Sequence, residues 1–192
     1  MALRVKINDQ VKDRLTRDLA NACATVGYIA LRDAYKAKSY TNRTYALHDS
    51  YGCAVYLDGV LIPETIRYVE RAYQKSGDSR GWRGSKDQAA NPSDWATGRQ
   101  ALENYLKNPP RMSTKNHITM LFVAAQWYAG ILESKKYSVL DLEVIKQSVS
   151  REFDKYIAPV LKKYGSENML PALRRGLGVD YTYKDIKKSR GK

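Results

Sequence analysis

Apolar side chains recur at helical spacing near both ends of this 192-residue chain, and that pairing constrains its fold more than any other feature. In the first run, Val11, Leu15, Leu19, Ala22, Val26 and Ile29 step by four, four, three, four and three residues. Such steps place side chains on one face of a 3.6-residue helix. Ala30, Ala34 and Ala37 carry the stripe toward Lys38, while Lys12, Asp13, Arg14, Arg17 and Asp18 occupy the other face. In the second run, Leu142, Ile145, Val149, Phe153, Ile157 and Val160 repeat the pattern, and the helix is expected to reach about Tyr164. Asn8 or Asp9 is placed to cap the first helix, and Gly165 to close the second. Pro159 lies inside the second run and is expected to kink or break it, because proline lacks an N–H and clashes with the preceding turn. A long helix with a single apolar stripe needs a layer to cover that stripe, and the residues between the two runs supply one.

Tyr51-Gly52-Cys53-Ala54-Val55-Tyr56-Leu57 reads as a strand, Asp58-Gly59 as a hairpin turn, and Val60-Leu61-Ile62 as the returning strand, ended by Pro63. Residues 64–75 fit a helix or a further strand. Residues 76–95 are dense in Gly, Ser, Asn and Pro and read as a long loop, yet they hold Trp82 and Trp95. A loop that long with two indoles is expected to project and to order against a neighbour. Thr97 can cap a helix over Gly98–Lys107, with Ala101, Leu102 and Tyr105 inward and Pro109-Pro110 stopping it. Residues 117–125 form the most hydrophobic strand pattern, which places them at the centre of the sheet. A short helix is expected at about Tyr128–Ser134. The fold class is therefore α+β: a small antiparallel β-sheet packed by long N-terminal and C-terminal amphipathic helices, with a long inserted loop. Residues 1–165 form the domain, and residues 166–192 a loop-rich extension ending in a basic tail. Residues 1–7 alternate apolar and basic side chains, as a short strand or extended arm would.

The formal charge of +13, from 33 basic and 20 acidic side chains, predicts attraction to phosphates or to an acidic partner. Fifteen tyrosines and three tryptophans suit surfaces that become buried on assembly, since each has an apolar body and a polar tip. Cys23 and Cys53 are flanked by small or apolar residues and read as buried free thiols. No charged-then-apolar leader is expected at the N-terminus. The longest apolar stretch, Ile118 to Leu132, is broken by Gln126 and falls short of the ~20 residues a bilayer span needs, so no membrane partner is expected.

No catalytic constellation is evident. His48, Asp49 and Ser50 are consecutive, and on an extended segment they would point to alternate sides, which forbids a triad. Two histidines and two cysteines, spaced apart, make no zinc pattern. Gly77–Gly84 lacks the Gly-Lys-Ser/Thr ending of a phosphate-binding loop. No enzyme activity, metal or cofactor is expected.

Two segments carry a resemblance. In Tyr40-Thr41-Asn42-Arg43-Thr44-Tyr45-Ala46-Leu47-His48-Asp49-Ser50, residues Thr44, Leu47 and Ser50 follow the long helix and lead into the hairpin. In Leu121 to Glu133, an apolar strand is followed by Tyr128-Ala129 and then Glu133, with Val139-Leu140 ahead of the last helix. In order and spacing these segments, with Gly98-Arg99, Leu106 and Pro109 between them, resemble the tail-completion (neck) proteins of tailed bacteriophages over roughly residues 8–160. The resemblance implies a structural virion protein, a head–tail connector made in the host cytoplasm and located in the virion neck or tail. Its implied partners are further copies of itself in a homo-oligomeric ring of six or twelve subunits, the portal, and neighbouring neck or tail proteins. The genome would pass through the bore during ejection. On that reading Trp82, Trp95, Thr44, Leu47, Ser50, Tyr128 and Glu133 serve assembly. Lys184, Lys187, Lys188, Arg190 and Lys192 of the basic tail would meet passing DNA or an acidic partner. The rival expectation is a nucleic-acid-binding protein outside the virion, supported by the charge and the aromatic content.

Overall fold

The computed structural model describes residues 9–39, 46–69, 98–109, 118–125, 129, 132 and 137–175. The first apolar stripe becomes helix α1 (Asp9–Ala37), and a single helical turn, α2 (Ala46–Asp49), delivers the chain to strand β1 (Tyr51–Leu57). Asp58 and Gly59 both adopt positive φ, 51° and 80°, the geometry of a tight hairpin turn, and strand β2 (Val60–Leu61) returns along β1. Pro63 then opens a 3-10 turn over Pro63–Thr65, which ends the return after two residues. Beyond it comes strand β3 (Arg67–Tyr68), so residues 64–68 resolve as a turn and a strand rather than a helix. Thr65 fills the gap between the two short strands: its buried hydroxyl accepts the Val55 N–H at 2.9 Å and donates to the Ile62 carbonyl at 2.6 Å.

Helix α3 (Gly98–Lys107) and strand β4 (Ile118–Ala124) follow. β4 runs antiparallel to β1 along its whole length, from Tyr51↔Ala124 to Leu57↔Ile118. β2 and β3 share the other side of β1, one at each end. The centre of this antiparallel sheet is therefore β1, and β4 pairs with β1 alone among the described residues, which corrects the placement of residues 117–125 at the centre. The reason is chemical. β1 contains two tyrosines whose hydroxyls find buried acceptors, so its modest hydropathy conceals its burial: Tyr51 donates to the Val139 carbonyl at 2.6 Å and Tyr56 to the Leu106 carbonyl at 2.9 Å.

Ala129 and Leu132 are helical, at the place where the short helix is expected. Asp141 then caps helix α4 (Leu142–Lys163), accepting from the N–H groups of Glu143 and Val144 at 3.1 Å each. α4 runs through Pro159 and ends four residues later, against the expected break there. Proline sits on the exposed side of α4 near its end, where the carbonyl it cannot bond is open to water. Gly165, φ +61°, closes the helix: Ser166 N–H reaches the Leu161 carbonyl at 2.9 Å, and Gly165 N–H reaches that of Lys162 at 3.1 Å. Residues 166–175 depart from the loop-rich expectation, because a 3-10 turn and helix α5 (Leu170–Arg175) set Leu170 and Leu173 against the core and pair Arg174 with Asp154.

The fold is α+β, with one helical layer on each face of the sheet. α1 and α4 lie antiparallel, as Asp18 meets Lys163 at one end and Asp33 meets Ser148 and Arg151 at the other. Leu19, Ala20, Cys23, Phe153, Ile157 and Leu161 pack between them with Val55 of the sheet. The opposite face carries α3, whose Leu102 and Leu106 are buried with Ala54, Tyr56 and Val123. Alternate residues of β1 thus serve opposite layers, and Tyr51 through Tyr56 are all buried.

Candidate assembly site

Of the residues assigned to assembly from the sequence, Leu47 and Ser50 fall within the described part. Thr44, Trp82, Trp95, Tyr128 and Glu133 lie outside the described residues, as do residues 76–95, expected to form a projecting loop, and the basic residues Lys184, Lys187, Lys188, Arg190 and Lys192. Leu47 is 3% exposed and packs with Leu31, Tyr35, Tyr51, Val69, Ala129 and Val139. Ser50 is buried, and its Oγ donates to the Leu47 carbonyl at 2.8 Å while its N–H reaches the same carbonyl at 3.1 Å. These two residues hold the turn that feeds α2 into β1. They offer no contact surface to a neighbour, and this corrects their assignment as interface residues: the motif shapes the subunit from inside.

His48, Asp49 and Ser50 belong to a helical turn and not to an extended segment. His48 Nδ1 lies 3.0 Å from Asp49 Oδ1, and its buried ring meets Tyr35 edge-on at 5.1 Å. Tyr35 also meets Tyr51 edge-on at 5.1 Å, and the Lys38 ammonium, buried, lies 5.2 Å from the Tyr35 ring centre. The end of α1, the α2 turn, β1 and the residues before α4 therefore converge on one aromatic node. Ser39 Oγ reinforces it by accepting the Ser138 N–H at 3.0 Å. The Ser50 hydroxyl beside this node is directed to the Leu47 carbonyl.

Electrostatics within the body are locally balanced. Burial pushes the Asp33 carboxyl up, but hydrogen bonds from Arg151, Ser148 and Arg32 outweigh it and hold the group below its ordinary value. Lys163 and Tyr164 bond Asp18 at 2.8 Å each and lower it in the same way. Arg151 also bonds Glu152 at 2.8 Å. The described residues contain 16 of the 33 basic and 13 of the 20 acidic side chains, a net +3. The remaining +10 of the +13 belongs to residues outside them.

The sulfur chemistry is inert. Cys23 and Cys53 are free and buried, and burial pushes both thiols up to about 12, so neither supplies a thiolate nucleophile at neutral pH. Among the described residues no group of His, Cys, Asp and Glu is arranged to hold a metal ion, and no helix is long and apolar enough to cross a membrane.

Sequence reasoning missed three features of this region. The Tyr51 and Tyr56 staples depend on acceptors 88 and 50 residues away, which no local pattern announces. The Asp141 cap was legible, as an aspartate immediately ahead of an apolar periodic run. That β4 pairs with β1 alone among the described residues required the strand order. No family model, curated protein or solved structure matches the chain.

Proposed function

We propose that this chain is a structural subunit of the neck of a tailed bacteriophage, forming a ring of six or twelve copies between portal and tail through which the genome passes. One observation carries the proposal. The order of elements that the motif resemblance calls for, a long helix, a tight turn at Leu47–Ser50, a β-hairpin, a further strand and a long final helix, is the order in which the described residues fold. A subunit of this kind works by geometry. Two rigid helices across a sheet make a wedge whose two sides can differ, as head-to-tail ring closure requires. The described residues carry a net +3, which favours close packing of copies, while the other +10 of the chain's charge would attract DNA or an acidic neighbour.

Native mass spectrometry of the full chain, with electron microscopy of the same sample, tests the proposal. A closed ring of six or twelve subunits is expected. A monomer at every concentration that binds DNA tightly, with a steep loss of affinity as salt rises, would replace it with the nucleic-acid-binding alternative.

A further inference from the structure

Positive charge on the described residues is unevenly placed. Residues 9–39 and 137–175, which build the two-helix layer and α5, hold 13 basic and 9 acidic side chains. The described residues between them, in the sheet, its turns, α2 and α3, hold 3 basic and 4 acidic. The whole excess therefore lies on the α1–α4 side of the molecule.

Much of that excess is turned away from the sheet. Along α1, Arg14, Arg17, Asn21, Tyr28 and Arg32 step by three, four, seven and four, away from the core stripe of Leu15, Leu19, Ala22 and Val26. Along α4, Arg151, Lys155 and Lys162 step by four and seven, opposite the buried Val149, Phe153 and Ile157. Both helices cover one face of the sheet, so the two stripes look outward side by side. The seam between them runs from Asp18 to Asp33, fifteen residues or roughly 22 Å.

The carboxylates along this seam are already engaged. Asp18 accepts from Lys163 and Tyr164, Asp33 from Ser148, Arg151 and Arg32, and Glu152 from Arg151. Arg14, Arg17 and Lys162 are exposed and form no ion pair with another described residue. Lys155 is 68% exposed and only 3.6 Å from Glu152. Four cations are thus left to solvent on a rigid support.

The chemistry of this face selects its partner. A protein interface needs an apolar centre from which water is expelled, with charge at its rim. None of the exposed large apolar side chains stands on these stripes: Val11 belongs to the core stripe of α1, Val60 to β2, Tyr137 precedes α4 and Met169 follows it. A phosphate backbone asks for no apolar centre, only for cations and N–H or O–H donors at the surface of a stiff element. Over 22 Å a duplex presents about a dozen phosphate charges.

We infer that the outer face of the α1–α4 layer is a contact surface for the phosphate backbone of duplex DNA, with Arg14, Arg17, Lys155 and Lys162 as its contacts. The inference stands without the ring reading, which would add only that this face lines the bore.

Fluorescence anisotropy of a labelled duplex with the full chain, across a salt series, tests it. Arg14→Gln, Arg17→Gln and Lys162→Gln should each lower the slope of log affinity against log salt by about one, and the triple variant by about three, whatever the base sequence. Lys107→Gln removes the same charge from α3, on the opposite face, and should leave the slope unchanged. Lysine acetylation of the unmodified chain checks this without a variant: added duplex should slow modification of Lys155 and Lys162 at least about threefold and leave Lys107 unaffected. Equal slope changes in Arg17→Gln and Lys107→Gln, equal protection of all three lysines, or no binding of duplex would overturn the inference. So would a triple variant that loses polyglutamate but binds duplex as before, since the face would then serve an acidic protein. A closed ring with unchanged slopes would sink the DNA face and keep the ring, whereas a monomer with the expected slopes would do the reverse.

Discussion

The two faces of β1 are covered by different means. On one side lies a two-helix layer, α1 and α4, with a core running from Leu19 to Leu161. On the other lies α3, ten residues long. The long pair gains from area and need not come close: a Cβ added at Gly27 of α1 would meet Cys53 Sγ at an ordinary 3.4 Å. The short helix compensates by approach, since a Cβ at Gly52 would stand 2.5 Å from Leu102 Cδ2 and 3.1 Å from the Arg67 carbonyl oxygen. α3 is then pinned twice, by the Tyr56 hydroxyl on the Leu106 carbonyl and by the Arg99 guanidinium stacked 3.3 Å from the Tyr68 ring centre. A thin cover thus depends on fit, and a thick one on bulk.

The largest effect should come from removing bulk where bulk dominates. Phe153→Ala empties the α1–α4 core and should cost about 3–5 kcal/mol of unfolding free energy, read by urea denaturation. A loss below about 1 kcal/mol would mean that the two-helix layer is not the main support of the fold.

Next comes a pair of identical changes with opposite outcomes. Gly52→Ala should destabilise by about 1–3 kcal/mol, because Leu102 is fully buried and the Arg67 carbonyl is backbone, so neither yields easily. Gly27→Ala should be neutral or stabilising by up to about 1 kcal/mol, since the methyl fits and alanine favours the helix interior. Equal losses in thermal denaturation would erase the distinction between the faces. A smaller pair sharpens it: Tyr51→Phe and Tyr56→Phe should each cost about 1–2 kcal/mol by removing a buried hydrogen bond. Exchange in Tyr56→Phe should quicken first in α3, and in Tyr51→Phe first at the start of α4.

How much of this could be seen in the chain itself follows from range. α1, β1, the Asp58-Gly59 turn, α3 and the Gly165 stop depend on spacing or on single residues, and they stand where local rules place them. The strand order was not legible, because β4 outranks β1 in hydropathy, and only the partners of the Tyr51 and Tyr56 hydroxyls reverse that ranking. Pro159 misled because its penalty depends on which side of the helix it occupies. For the candidate site, Leu47 and Ser50 are expected at an interface but are buried within the subunit, and the Leu47 carbonyl that accepts from Ser50 is a partner that sequence does not display.

The smallest effect concerns a clamp found on the thick face. Asp33 joins α1 to α4 through Ser148 and Arg151, each at 2.9 Å. Its carboxyl is held below the ordinary value, so the folded state binds its proton less readily than the unfolded chain does. The stabilisation is therefore complete above the ordinary carboxylate range and is lost as pH falls through and below about 4. Arg151 is 58% exposed, so solvent screens the pair and the contribution should be small. Asp33→Asn should lower stability slightly at pH 7, less in high salt, and should flatten the acid limb of the stability curve. Hydrogen exchange should then show α4 loosening from α1 while α3 keeps its protection. If acid loosened both faces equally in the unmodified chain, or if Asp33→Asn left the acid limb as steep as before, the clamp would have no share in holding the two-helix layer together.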